Sequence, residues 1–272
     1  VELRSRRREQ DWLVSERAFD PARLGHSSSL FSLSNGILGT RGGPPEWPDG
    51  HSTILAGAFV RLPLSYHERF PGFAEHTDTR LLGPGVTGIR IAIDAEPVDF
   101  TATTIVSTTC DLDLRTASLR RHTVWQLADG RRIALSSWRF VPLLGRALCL
   151  QRHEITLVDF TAEVEVEFPI EMSRPGGADV GDPRNSARAR FVPVAEQAIA
   201  EASLWRFAAG QEQQLRLTAA QRLSCATPGV TLDAHRVARG KCKAREPLIV
   251  DRHVELCGPA CKRDPVSGVI GV

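Results

Sequence analysis

Four residues near the start of the chain are of types that could touch a ligand: Asn35, Arg41, Glu46 and Trp47. Arg41, between Thr40 and Gly42, carries a bidentate donor suited to a carboxylate or to sugar hydroxyls, and a structural salt bridge would use the same fork. Asn35 precedes Gly36 and suits a turn as well as a ligand contact. Trp47 and Tyr66 sit in Gly/Pro-rich surroundings where a ring face can stack on a sugar, whereas Trp125 and Trp138 fall within predicted strands and are expected in the core. No catalytic residue is assigned. There is no Gly-rich phosphate loop and no nucleophile elbow, and the separation of carboxylates is not legible in a sequence. Cys242, His253, Cys257 and Cys261 have the ligand types of a zinc site. However, Gly258-Pro259 breaks any helix that would align them, and Cys-x3-Cys lacks the knuckle spacing, so neither a metal nor a cofactor is expected. Glu163, Glu165 and Glu167 share one face of T-A-E-V-E-V-E-F, which is what a strand with its acidic face in water produces.

The elements that would position these residues are mostly strands, because Gly and Pro punctuate the chain and helical periodicity is scarce before Pro193. Strands are predicted over 53–60, 88–94, 100–106, 119–127, 132–140, 148–157 and 161–168; Ile89, Ile91 and Ile93 alternate with polar or small residues. Ala128-Asp129-Gly130 predicts a tight hairpin turn between two of them. Residues 173–190 have the composition of a long exposed loop, and 195–204 and 210–223 are the two helix candidates. In the segment from Ser27 to Gly42, Asn35-Gly36 and Gly39 are expected in glycine-type conformations, with Leu30, Phe31, Leu33, Ile37 and Leu38 in a core.

That segment, S-S-S-L-F-S-L-S-N-G-I-L-G-T-R-G, resembles the opening motif of the family 65 glycoside hydrolases and phosphorylases. The resemblance continues through Trp12, Phe19-Asp20, Leu112-Asp113-Leu114-Arg115-Thr116, Leu119-Arg120-Arg121, Trp125, Asp129-Gly130-Arg131 and Arg139-Phe140-Val141, in the family's order. It implies the family's N-terminal β-sandwich domain, which in an intact relative precedes an (α/α)6 barrel holding the general acid and the phosphate site. Such a relative transfers an α-glucosyl unit of a disaccharide to phosphate with inversion. The departures are Ile37 for an aromatic, Glu46 as the only acid after Arg41-Gly42, Ala117 for a Gly and Pro142 for a Ser.

Thirty-four basic and 32 acidic residues leave a net charge of +2, which excludes the one-sided field of a nucleic-acid binder, and no apolar run is long enough to span a membrane. A charged N-terminus without an apolar core makes cytoplasmic residence the default. All three lysines, Lys241, Lys243 and Lys262, and four of six cysteines fall late, where the family resemblance also fades. The expected fold is therefore all-β: a large antiparallel β-sandwich (supersandwich) with a few short helices and a poorly ordered C-terminal tail. Residues 1–11 are expected to be a disordered segment, 12–228 the domain, and 229–272 a divergent tail, read out of the ancestral frame or decayed. The expected function is that of the N-terminal domain or truncated remnant of a family 65 enzyme acting on an α-glucosyl disaccharide and phosphate. It would be inactive alone, and would form a homodimer or associate with a separate barrel. The alternative is a stand-alone carbohydrate-binding or interaction module.

Overall fold

The structure, a computed structural model, describes residues 12–64, 70–143, 146–172, 191–199, 202–209, 215–233 and 236–259. The 1–11 segment, the 173–190 loop, Tyr66, Cys261 and the end of the tail lie outside these residues. In chain order, β1 (Leu13–Glu16) leads into α1 (Leu24–Leu30), then β2 (Leu33–Ser34), β3 (Leu38–Thr40), β4 (Thr53–Pro63) and β5 (His76–Gly83). Next come β6 (Arg90–Ile93), β7 (Glu96–Pro97), β8 (Thr104–Asp113), β9 (Ser118–Gln126), β10 (Arg132–Phe140), β11 (Leu148–Leu157) and β12 (Ala162–Glu167). The chain ends with β13 (Val192–Ile199), β14 (Ala202–Ala209), β15 (Leu215–Cys225), β16 (Thr231–Asp233), β17 (Val237–Cys242) and β18 (Pro247–Cys257).

These strands form three antiparallel sheets. A nine-stranded sheet runs β1-β8-β9-β10-β11-β18-β15-β14-β13, and two smaller sheets, β16-β17-β12-β6-β7 and β2-β3-β4-β5, pack side by side on one of its faces. Period-2 alternation decides which face. On β9, Leu119, Arg121, Thr123 and Trp125 point inward, and on β12 Val164 and Val166 are fully buried while the glutamates turn out. Under the five-stranded sheet the core is built from Trp125, Ile133, Leu157 and Leu248 against Ile91, Val164 and Val166. Under the four-stranded sheet it is built from Leu112, Phe207, Leu217 and Val254 against Phe31, Leu38 and Leu55. Each fully buried Leu, Ile or Phe contributes about 1.5–3 kcal/mol relative to exposure. The β9–β10 hairpin is closed by Gly130 at φ 88°, with Leu127 N–H donating to Arg131 O at 2.8 Å.

Several sequence expectations fail for identifiable reasons. The helix candidates at 195–204 and 210–223 are β13, β14 and β15, except for 200–201 and 210–214, which are outside the described residues. Their Ala, Gln and Glu content favours helix locally, but pairing to β18 and to one another overrides that weak preference. Residues 100–102 form a 3-10 turn, because the Asp99 carboxylate accepts from Thr101 N–H at 2.9 Å, and the strand starts only at Thr104. Residues 229–257 are not a separate tail: β18 sits between β11 and β15 in the large sheet, with Leu248, Val250, Arg252 and Val254 all fully buried. Leu30 is exposed, whereas Phe31, Leu33 and Leu38 are core and Ile37 is half-buried against it. Gly39 has an ordinary strand conformation; the left-handed glycine is Gly36 at φ 85°, and the crowded one is Gly42.

Candidate functional site

The loop from Gly36 to Trp47 lies across the seam between the two cores, and it is held there by arginines of the large sheet. Arg139 Nη1 donates to Arg41 O at 2.7 Å, Arg121 Nη2 to Gly42 O at 3.4 Å, and Gly42 N–H to Ser28 O at 2.8 Å. Arg252 completes the seam, donating to Gln221 Oε1, Gly88 O and Pro169 O at 2.7, 2.9 and 2.7 Å. Sheet alternation puts Arg121, Arg139 and Arg252 on the inward face along with Gln151 and His153, so a layer of charge and amide separates two apolar cores.

Of the four expected ligand contacts, Asn35 makes a complete set of internal hydrogen bonds. Its Nδ2 donates to Pro142 O and Arg146 O at 2.8 and 2.7 Å, and its Oδ1 accepts from Ile37 N–H and Leu38 N–H at 3.0 and 2.9 Å. It therefore fastens the β2–β3 turn to the β10–β11 connection. The Arg41 guanidinium donates to Gly25 O at 2.8 Å and Ser29 Oγ at 3.1 Å, both on α1. Glu46 is buried; its Oε1 accepts from Trp125 Nε1 at 3.0 Å while Oε2 has no partner. Desolvation pushes the Glu46 carboxyl above its usual range, against the pull of its own backbone, of Arg121 and of Trp125. A raised carboxyl pKa suits a general acid. The space that Glu46 lines with Pro45, Arg121, Ser137 and His153 has room for about one water and is far too small for a sugar. Trp47 is half-buried between Phe19, edge-on at 5.0 Å, and Trp125, stacked at 6.4 Å. The structure thus sets Arg41 and Glu46 against the arginine layer and Trp47 against Trp125, and places Asn35 at the opposite end of the loop.

Larger spaces open to solvent, among them a cleft and a groove. The cleft, of about 890 Å³, lies between α1, the 48–52 loop and Gly85–Arg90, and in it Arg90 pairs with Glu167 at 3.1 Å and Glu171 at 2.5 Å. Its imidazole, His51, donates from Nε2 to Trp47 O at 2.5 Å and accepts at Nδ1 from Thr87 Oγ1 at 3.0 Å. Burial drives its pKa down to about 4. The groove, of about 730 Å³, runs across β8, β9, β10, β11 and β18, on the face of the nine-stranded sheet opposite the two smaller sheets. Trp138 lies in it, half-exposed, and not in the core where its strand position placed it. Strand membership alone said nothing about which of the two faces was covered.

Two of the three carboxylates in the β12 row are paired with arginines. Glu165 pairs with Arg239, and Glu167 pairs with Arg90 and Arg236. Cys242 is buried in β17, away from the outward-facing His253 of β18, and no group of three metal-ligating side chains occurs among the described residues.

Residues 14–257 match the model of the glycosyl hydrolase family 65 N-terminal domain. The chain belongs to this family. The match runs to the end of β18, as the sheet topology requires. The chain is 28% identical over 180 residues to an uncharacterized glycosyl hydrolase of Mycobacterium leprae, covering 65% of this chain and 23% of that protein. It is 26% identical over 147 residues to maltose phosphorylase of Bacillus subtilis (53% and 19%) and 26% over 160 residues to kojibiose phosphorylase of Halothermothrix orenii (58% and 19%). A solved putative kojibiose phosphorylase from human microbiome shares the fold, with a TM-score of 0.72 at 17% identity over 96% of this chain and 34% of that one. The family 65 domain described here thus spans less than a quarter of the length of these curated relatives.

Proposed function

We propose that this family 65 domain is the non-catalytic N-terminal part of an assembly that cleaves an α-glucosyl disaccharide with phosphate. The acid and the phosphate site would be supplied by polypeptide outside these 272 residues, in the same chain or a separate one. The observation that carries this reading is the combination of a family match over nearly the whole described chain with the interior placement of Glu46, the one carboxyl among the described residues whose pKa is raised. Glycoside cleavage needs two carboxyl groups flanking a bound sugar, and Glu46 instead lines a water-sized void. Arg41, Asn35, Glu46 and Trp47 act in this reading as the frame that fixes the opening loop. The loop's outer surface, with Ile37, Ile54, Phe59 and Arg80 beside a recess of about 360 Å³, is what remains for a neighbouring barrel or a second copy. No helix among the described residues is long and apolar enough to cross a membrane, which agrees with a cytoplasmic assembly. The test is an assay of the homogeneous chain with phosphate and maltose, kojibiose or trehalose. No release of glucose 1-phosphate is expected, and turnover of any of the three would overturn the assignment.

A further inference from the structure

We propose that the groove across β9, β10 and β11, on the face of the nine-stranded sheet opposite the two smaller sheets, is a saccharide-binding site, with Trp138 as its platform. The site is distinct from the opening loop, and the proposal does not depend on which polypeptide supplies the catalytic groups. Its centre is one row of direct cross-strand neighbours, Arg120 on β9, Trp138 on β10 and Arg152 on β11, continued by Asp251 on β18. The next row carries His122, Ser136 and Glu154. Phe140, two residues along the same face, lies 4.9 Å from Trp138 between ring centroids and braces the indole.

The charges in this groove are unevenly spent. Arg152 is held bidentately by Asp251 at 2.7 and 2.8 Å, and His122 Nδ1 bonds Ser136 Oγ at 2.8 Å. Asp111, the register neighbour of Arg120, is taken by Arg17 at 2.7 Å. Arg120 is left without a side-chain hydrogen bond or ion pair among the described residues, Glu154 without a hydrogen bond, and the Trp138 indole N–H likewise without an acceptor. With strands about 4.8 Å apart and residues about 3.4 Å apart along each, the Cα atoms of Arg120 and Glu154 lie roughly 10–12 Å from each other, on opposite sides of the indole.

An apolar platform bracketed by a free donor fork and a free acceptor matches a pyranose, which has a C–H face and hydroxyls around its edge. A purely apolar ligand would strip water from Arg120 and Glu154 without repayment. A strongly anionic one would meet Glu154 and Asp251. The groove's volume of about 730 Å³ lies in the range of small-molecule sites.

The experiment is a calorimetric titration of the full chain with maltose, kojibiose, trehalose and, separately, glucose 1-phosphate. At least one neutral disaccharide is expected to saturate with a millimolar Kd. Trp138→Ala should weaken it at least about tenfold, with Trp138→Phe retaining most of it. Arg120→Gln should weaken it several-fold, and serves as the test if Trp138→Ala fails to fold. The melting temperature of Arg120→Gln should equal that of the wild type, since the Arg120 side chain makes no hydrogen bond or ion pair among the described residues. The proposal is overturned by no saturation with any of the three disaccharides, by undiminished binding in both variants, or by glucose 1-phosphate binding more than about tenfold tighter than the neutral sugars.

Discussion

A methyl group added at Gly42 should be the most damaging small change in the opening loop, and the size of the effect follows from the local geometry. A Cβ built on Gly42 falls closer than 3.0 Å to the carbonyl carbon and oxygen of Phe31, an approach that real Cβ atoms do not make, and both are backbone atoms that no rotamer can move. Relief requires the loop to retreat by about an ångström. That breaks the 2.8 Å bond from Gly42 N–H to Ser28 O and loosens those from Arg139 and Arg121 to the loop carbonyls. Each buried polar group left unpaired costs about 1–3 kcal/mol, so Gly42→Ala should cost about 3–5 kcal/mol. The neighbouring glycines calibrate the measurement. Gly36 has open space around it but φ 85°, so Gly36→Ala should cost about 1–2 kcal/mol in backbone strain alone. Gly39 has ordinary φ and nothing nearer than 3.7 Å, so Gly39→Ala should be neutral or stabilising by up to about 1 kcal/mol. For a domain of this size 1 kcal/mol moves the melting temperature by about 2–4 °C, so thermal melts should place Gly42→Ala about 10 °C below wild type and Gly39→Ala near it. If Gly42→Ala melts within about 2 °C of wild type, or if Gly39→Ala is the worse of the two, the packing of Phe31 on the loop is not as described.

The two buried histidines should make stability fall as pH drops from 6.5 to 4, against an opposite contribution from the raised carboxyl of Glu46. His51 and His153 are held neutral by burial, His51 down to about 4, so the unfolded chain binds protons in this window that the folded one does not, and stability falls as pH falls. His51 accounts for up to about 3 kcal/mol of this; His51→Gln, which keeps a donor for Trp47 O, should flatten the dependence of the melting temperature on pH, and an unchanged slope would refute the assignment. Leu248→Ala, in the strand that joins the two halves of the large sheet, should cost about 2–5 kcal/mol in a chemical denaturation experiment, and a loss below about 1 kcal/mol would mean that β18 is not integral to the core. Ala117, in the β8–β9 turn, has φ 49°; Ala117→Gly should stabilise by roughly 1 kcal/mol, and a lowered melting temperature would contradict the left-handed turn.

The parts of this fold that were legible in the sequence are those in which local signals and tertiary demand agree. The limits of β10 and β11, the Asp129-Gly130 hairpin and the acidic outer face of β12 all follow from period-2 alternation bounded by turn residues. Legibility was lost where partners are distant in the chain. β18 pairs with β11, about 100 residues upstream, and its inward face reads Leu-Val-Arg-Val, so Arg252 breaks the apolar pattern at the point where the strand is most buried. β14 is buried on both faces for most of its length and shows no alternation at all, so it carries no period-2 signal by which to read it as a strand. The same limit hid Trp138. Alternation separates two faces of a strand, but only the arrangement of sheets decides which of them meets water.

The buried arginine layer answers a problem that the two-core arrangement creates. Both small sheets present Leu, Ile and Val to the same face of one large sheet, and apolar contact is nearly indifferent to a slip along it. Hydrogen bonds are not indifferent, because a guanidinium displaced by one residue pair loses its acceptors at 1–3 kcal/mol each. Arg139 and Arg121 reach the carbonyls of Arg41 and Gly42 beside the four-stranded sheet. Arg252 reaches those of Gly88 and Pro169, just outside β6 and β12 of the five-stranded sheet. Each smaller sheet is thereby locked to the large one at a single register, and by backbone carbonyls instead of carboxylates. Glu46, the one acid facing this layer, is bound to Trp125 on the inward face of β9, so the opening loop is registered by both an acceptor and two donors. The sequence features that draw attention as a ligand site, Arg41 through Trp47, are in this light the places where the loop meets that lock.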